Sequence, residues 1–335
     1  MVADLLADPF GERSRTMVRR ELQLLGGRFR FESNSRRLLR LVETAFDGLP
    51  RHRLSATPPR LSVRLVLRSG RPPRARRRLE PPPLGMFSGA GLLGGATDRS
   101  DFVVLSPEER SALIVISPAM ISFPYHARYE LIEFAVFTLA SRAQRLVSLH
   151  AACIGREGRG LLLMGPSGAG KSTLTLLSLL QGFDFIAEDS VFVAPDTLLA
   201  TGIASFLHVR ADSLRWVERS RDVAAIRASP VIRRRSGVRK FEVDVRRGAH
   251  RLAVSPLKIG AIVFLSAEKA GGGPLLRRLT KSSMYARLVE AQAYAAHQPE
   301  WPAFRRRVSG LDAFELRRGA HPSEAVDVLQ SLVER

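Results

Sequence analysis

The stretch LLLMGPSGAGKSTLTLL, Leu161 to Leu177, joins two apolar segments of different kinds through a glycine-rich loop. Leu161 to Met164 is short, continuous and apolar, the pattern of a strand buried on both faces. The segment after Gly170 reads as a helix that stops at Gly182. Gly165, four further residues and then Gly170, Lys171 and Ser172 match the phosphate-loop pattern. The run Gly165, Pro166, Ser167, Gly168, Ala169, Gly170 is expected to wrap phosphate groups, because its three glycines let the backbone turn sharply and aim N–H groups at an anion. The N-terminus of the following helix adds positive potential. Lys171 is expected to reach the β- and γ-phosphates and Ser172 to bind Mg²⁺, with Thr173 a secondary candidate in the same helical turn. The cofactors implied are ATP, or another nucleoside triphosphate, and Mg²⁺. The loop alone does not name a reaction.

The chain has 335 residues, 45% of them hydrophobic, enough for one large domain or two ordinary ones. Its single cysteine, Cys153, excludes an intramolecular disulfide and has the apolar neighbours of a buried small residue. The start, MVADLLADPFGER, lacks a basic segment followed by an apolar core, and LIEFAVFTLA is too short to span a bilayer and carries Glu133. A soluble, cytoplasmic protein without a membrane span is expected. The formal net charge of +20, from 52 Lys+Arg against 32 Asp+Glu, attracts acidic proteins, nucleic acids or anionic membranes without distinguishing them. No aromatic-rich RNA-binding strand and no paired Cys/His zinc ligands are present, so an acidic or phosphate-bearing ligand is expected rather than nucleic acid. A homo-oligomer is left open.

Along the chain, GGRFRFES and RLSVRLVLR alternate as strands do, and RRLLRLVETAF between them puts Leu38, Leu41, Val42 and Ala45 on one helical face. Residues 69–100, rich in Arg, Pro and Gly, read as a loop or mobile insertion. DFVVL and ALIVIS read as strands paired across SPEERS, and Tyr125 to Arg145 as a helix. LVSLHAACI reads as one strand, RSGVRKFEVDVRRG as one or two edge strands, IGAIVFLS as a buried strand, and residues around 282–296 and 322–334 as helices. A smaller α+β accessory domain is expected over residues 1–122 and a nucleotide-binding α/β domain over 123–335.

FDFIAEDS places Glu188 and Asp189 directly after an apolar strand. If that strand lies beside Leu161–Met164, both carboxylates reach the sheet edge that holds Lys171. Phosphoryl transfer needs one carboxylate for the metal and can use another to orient or deprotonate the acceptor hydroxyl. LVSLHAACI and GLLLM flank the turn GREGRG, and a hairpin centred between Glu157 and Gly158 sets His150 opposite Gly165. His150 there either contacts a phosphate, assists proton transfer, or is a hydrogen-bonded structural histidine.

The ordered set LHAACIGREGRGLLLMGPSGAGKST and GFDFIAEDSVFV resembles the catalytic domain of bacterial HPr kinase/phosphorylase and of small HPr-kinase-related enzymes, over about residues 125–270. The resemblance implies a phosphate-loop fold of that type and an ATP-dependent kinase phosphorylating a hydroxyl, a serine of a protein or peptide. It also implies a catalytic-site role for His150, an acceptor-activating role for Glu188 and a metal-side role for Asp189. The family's acidic pair is Asp-Asp and here it is Glu-Asp; its Gly-rich signature is not recognisable, and GVRKFEVDV stands in that region with Arg239 and Lys240 as candidate basic residues. The remaining readings are a small-molecule kinase of the same fold, a non-catalytic, nucleotide-regulated binding protein, and, from the basic charge, a nucleic-acid-dependent ATPase. The N-terminal region is the expected acceptor-recognition part.

Overall fold

The structure is a computed structural model that describes residues 17–69, 80–98, 100–248 and 250–334. It is a mixed α/β protein whose strands, among the described residues, form three sheets. Chain contacts divide it into two compact units. The first holds residues 1–21, 29–45 and 62–136, and the second holds 22–28, 46–61 and 137–335.

A seven-stranded sheet runs in the order β1 (Val18–Leu24), β2 (Gly27–Ser33), β3 (Arg60–Leu67), β7 (Ser111–Ile116), β6 (Phe102–Ser106), β5 (Leu92–Ala96) and β4 (Gly85–Gly89). β2 alternates as its sequence requires: Phe29 and Phe31 are buried and stack at 5.9 Å, while Arg28 and Arg30 face out. β6 and β7 pair antiparallel around Ser106 and Ser111, as expected. Helix α1 (Arg36–Phe46) buries Leu38, Leu39, Val42 and Ala45; Leu39 is buried where the spacing pointed to Leu41.

The expected loop over 69–100 is corrected in part. Its residues 70–79, where the arginines and prolines concentrate, lie outside the described residues, but β4 and β5 form an antiparallel hairpin. Glycines hid these strands by removing the side-chain alternation that marks a strand. The gaps at Gly94 and Gly95 are filled instead by Phe87 and Leu84, which lie where their Cβ atoms would be.

The stretch from Tyr125 to Arg145 is helical, beginning as the short turn Pro124–His126, passing through the π-helical segment Ala127–Ile132, and continuing as α2 (Glu133–Gln144). Among the described residues no helix is long and apolar enough to cross a membrane.

The larger unit is built on a ten-stranded sheet. Its path is β17 (Arg251–Leu252), β11 (Asp184–Ala187), β9 (Ala152–Arg156), β10 (Arg159–Met164), β18 (Leu257–Lys269), β13 (Leu199–Gly202), β12 (Val191–Val193) and β8 (Val147–Leu149). β20 (Asp312–Arg318) pairs with β18, and β19 (Leu276–Arg278) with β20. β10 is buried on both faces. Leu161 and Leu163 meet Leu174 and Leu177 of α3 (Lys171–Leu180) and Val326 and Leu329 of α6 (Pro322–Val333) in one cluster. Leu162 and Met164 belong to a second cluster with Met284 and Leu288 of α4 (Lys281–Ala291) and Trp301 and Phe304 of α5 (Trp301–Val308). Cys153 is fully buried and burial pushes its thiol pKa up, away from the reactive thiolate.

Two expectations change, and one strand has no counterpart in the sequence reading. LVSLHAACI is two strands, because β8 leaves the hairpin to pair with β12. β16 (Arg239–Asp244) is not an edge but the middle of a separate three-stranded sheet, between β14 (Phe206–Val209) and β15 (Val231–Arg233). β20 has no clean apolar pattern because buried Glu315 interrupts it; Arg287 at 2.7 Å and Arg277 at 3.7 Å compensate that charge.

Candidate functional site

β10, β18 and β20 run parallel, and β11 runs in the same direction because antiparallel β9 separates it from β10. β11 is therefore one strand removed from β10, not beside it as the sequence reading supposed. Parallel strands bring their C-terminal ends to one edge of the sheet. That edge gathers the loop after β10, Asp189 after β11, Leu265 and Ser266 of β18 and Arg318 of β20 around a cleft of about 650 Å³.

The loop has the conformation that its glycines permit. Gly165 has φ +153° and passes so close to β18 that a Cβ would sit 3.0 Å from the Leu265 carbonyl oxygen. Gly170, at φ +106°, is the left-handed residue that starts α3, and no side chain caps that helix N-terminus. Lys171 donates to the Gly165 carbonyl oxygen at 2.6 Å, and Arg318 donates to the Gly168 carbonyl oxygen at 3.3 Å. Burial lowers the Lys171 pKa from its ordinary value, while Asp189 and Glu188 act in the opposite sense.

Ser172 donates its hydroxyl to Glu188 Oε1. Glu188 is 4% exposed, and its other oxygen accepts the backbone N–H of His208 at 2.7 Å. The His208 ring lies between two carboxylates, Nδ1 3.3 Å from Glu188 and Nε2 3.7 Å from Glu242. Burial alone raises the Glu188 pKa, but the bonds and charge of His208, then Lys240 and Ser172, hold it well below the usual carboxylate range. Burial alone lowers the His208 pKa, but its bonds to Glu188 and Glu242 win and raise it. The Glu188 carboxylate and the His208 ring thus favour each other's charged forms, and the ring is anchored by register: His208 of β14 faces Glu242 of β16.

Asp189 is half-buried, lines the cleft, and accepts from Arg234 at 3.2 Å; the same guanidinium nitrogen lies 3.3 Å from His208 Nδ1. Lys240 approaches Glu188 at 4.0 Å, and burial lowers its pKa. Arg239, its neighbour, is exposed and does not line the cleft.

The hairpin register is the expected one: Ala152 pairs with Leu163, which carries His150 opposite Gly165. His150 has left the strand, however. Its backbone N–H and C=O are both taken by the side-chain amide of Gln292, at 2.8 and 3.0 Å, and its exposed side chain lines the cleft. Thr173 turns away from the carboxylates and shares a hydrogen bond of 2.8 Å with Ser213. Pro166, Ser167 and Ala169 line the cleft with the rest of the loop.

The structure thus brings the loop residues, His150, Glu188, Asp189 and Lys240 together but leaves Arg239 outside, and it adds His208, Arg234, Gln292 and Arg318. His208 carried a faint signal, a lone histidine in the apolar strand FLHV. Arg234 and Arg318 could not be told apart from the other members of a set of 52 Lys+Arg, and Gln292 carried no signal.

The geometry fits a phosphate chain and a hard divalent cation. Backbone N–H groups at an uncapped helix start, with Lys171, suit phosphate oxygens. Among the described residues no group of three His, Cys, Asp or Glu side chains is placed to hold a metal by itself. Ser172 with one carboxylate suits Mg²⁺, which keeps several waters and takes ligands from phosphates rather than from a protein cage.

No family model matches this sequence, and no curated protein matches it. Among solved structures, the Hpr(Ser) kinase/phosphatase from Coxiella burnetii is similar over 56% of this chain and 88% of that chain, at 14% identity and a TM-score of 0.28. A likeness at that score carries no argument, and the functional reading rests on the site.

Proposed function

We propose that this chain is an ATP-dependent, Mg²⁺-requiring kinase that phosphorylates a hydroxyl, a serine of a protein or peptide. One observation carries the reading: the Ser172 hydroxyl, at the start of the loop helix, is bonded to the first of two strand-end carboxylates, while Lys171 and the second carboxylate line the same cleft. The choice of serine and of a protein or peptide rests on the resemblance of the two quoted stretches to HPr kinases.

In this reading the loop backbone, Lys171 and Arg318 hold the phosphates, and Mg²⁺, when bound, would supply neutralisation of the phosphate charge. Ser172 and Glu188 form the metal side. Asp189 takes the proton of the acceptor hydroxyl as that oxygen gains phosphorus, with ADP as the leaving group. His150, which lines the same cleft, assists. This exchanges the roles that the resemblance implied for the two carboxylates. What supports the exchange is that both oxygens of Glu188 are committed to Ser172 and His208, whereas Asp189 reaches the cleft.

The test is incubation with γ-labelled ATP, Mg²⁺ and a serine-containing peptide library, with a matched alanine library as control. Phosphoserine found by mass spectrometry, absent with Lys171→Ala, supports the proposal. A folded wild-type protein that binds no nucleotide overturns it.

A further inference from the structure

The mechanism above leaves one wall of the cleft without a task. The segment Ala211–Trp216 is a 3₁₀ helix that ends on a tryptophan, and Trp216 lines the cleft with the loop. In a 3₁₀ helix residues i and i+3 eclipse, with about 2 Å of rise per residue. Ser213 and Trp216 therefore share a face, about one turn apart. Ser213 is the residue hydrogen-bonded to Thr173, so this face is turned toward the first turn of α3.

Ser172 and Thr173 sit about 100° apart around the α3 axis. Ser172 points to Glu188 and Thr173 to Ser213. The two hydroxyls thus mark two walls, one of carboxylates and one that leads to an aromatic ring. The ring is braced. His321, the N-cap of α6, meets it edge-on at 4.9 Å between centroids and 81° between planes. The Arg215 guanidinium lies over the indole at 4.6 Å. Trp216 is half-buried against the apolar core, whereas Arg215 is exposed. An indole fixed in plane at a cleft wall, topped by a planar cation, is a stacking surface for another flat π system.

We infer that Arg215 and Trp216 form the nucleobase platform of this site: the base of the nucleoside triphosphate stacks there while its phosphates lie along the loop. The inference rests on the nucleotide-binding reading of the loop, and deepens it by placing the opposite end of the ligand. The sequence has two tryptophans, and the other, Trp301, is 6% exposed in the core of the opposite sheet face.

The test uses the full chain carrying Trp301→Phe, so that Trp216 is the sole indole. Its fluorescence is followed during titration with Mg·ATP and, in parallel, with magnesium tripolyphosphate, which has the phosphates but no base. The platform predicts a saturable change with ATP and little or none with tripolyphosphate. It also predicts that Trp216→Ala weakens ATP binding, measured by calorimetry, by roughly ten-fold or more, with tripolyphosphate affinity within about two-fold. Trp216→Phe should recover most of the loss; a packing defect at the N-cap of α6 would instead weaken tripolyphosphate and ATP alike. If ATP binds but leaves Trp216 fluorescence unchanged, and Trp216→Ala binds it as tightly as the parent, the platform is wrong while the phosphate loop stands. If neither ligand binds the parent protein, the platform falls together with the nucleotide reading.

Discussion

Glu188 and Asp189 are adjacent in the chain, yet one side chain is sealed and the other lines the cleft. Glu188→Gln removes the charge that His208 and Lys240 face across a buried pair, and breaking such a pair costs about 3 kcal/mol. On the proposed roles it should also raise the Mg²⁺ concentration needed for half-maximal activity, with excess Mg²⁺ restoring part of the rate. Asp189→Asn should leave folding and Mg²⁺ dependence nearly unchanged and lower turnover by roughly 10²–10⁴-fold, the contribution of a general base. Initial rates against Mg²⁺ for the two variants decide the matter. Rescue of Asp189→Asn by Mg²⁺, but not of Glu188→Gln, restores the roles that the family resemblance implied.

At the scale of elements, the site depends on how strand ends are held rather than on the strands themselves. His150 lies between Leu149, the last residue of β8, and Ala152, the first of β9, and the side-chain amide of Gln292, which is 3% exposed, bonds both its N–H and its C=O. Gln292→Ala removes the partner of both a half-buried N–H and a half-buried C=O, at a cost of about 1–2 kcal/mol. Activity should fall together with stability, and Gln292→Glu, which can accept from the His150 N–H but not donate to its C=O, should recover only part of each. Urea unfolding and initial rates measured on the same preparations check this; a stability loss with no change in rate removes His150 from the site. The positions of such joints were not legible beforehand. The hairpin register followed from the turn, but the departure of β8 to β12 is a long-range pairing that local alternation does not encode.

At the scale of the whole molecule, residues 46–61 belong with the larger unit, although they precede most of the smaller one in sequence. His52 fastens them. Its Nε2 lies 2.8 Å from the Ala253 carbonyl oxygen, which can only accept, so Nε2 carries the proton and Nδ1 accepts from the Thr201 hydroxyl at 2.7 Å. Burial lowers the His52 pKa, against the smaller effect of the Ala253 bond. The unfolded chain, with its histidine near pKa 6.5, therefore binds more protons below that value, and the His52 contribution is lost as pH falls through it. At pH 7.5 His52→Gln should cost about 1–2 kcal/mol, and the gap between it and the wild type should close toward pH 5.5. A gap measured by urea unfolding that stays constant across this range shows that His52 does not titrate with folding.

The sequence alone determined the loop, the strand before it, the helix after it and the carboxylates that follow the next apolar strand, because each is written in a short window whose period or glycine spacing has one physical solution. It also determined that Cys153 is buried, from its apolar neighbours. Only the tertiary structure decided that β9 separates β11 from β10, that Glu315 is buried inside β20 between arginines, and that Glu188 rather than Asp189 takes the Ser172 hydroxyl. Those outcomes turn on pairings between residues far apart in the chain. A buried charge is stable only where a distant partner compensates it, and no local pattern records which of 52 cationic side chains that partner is.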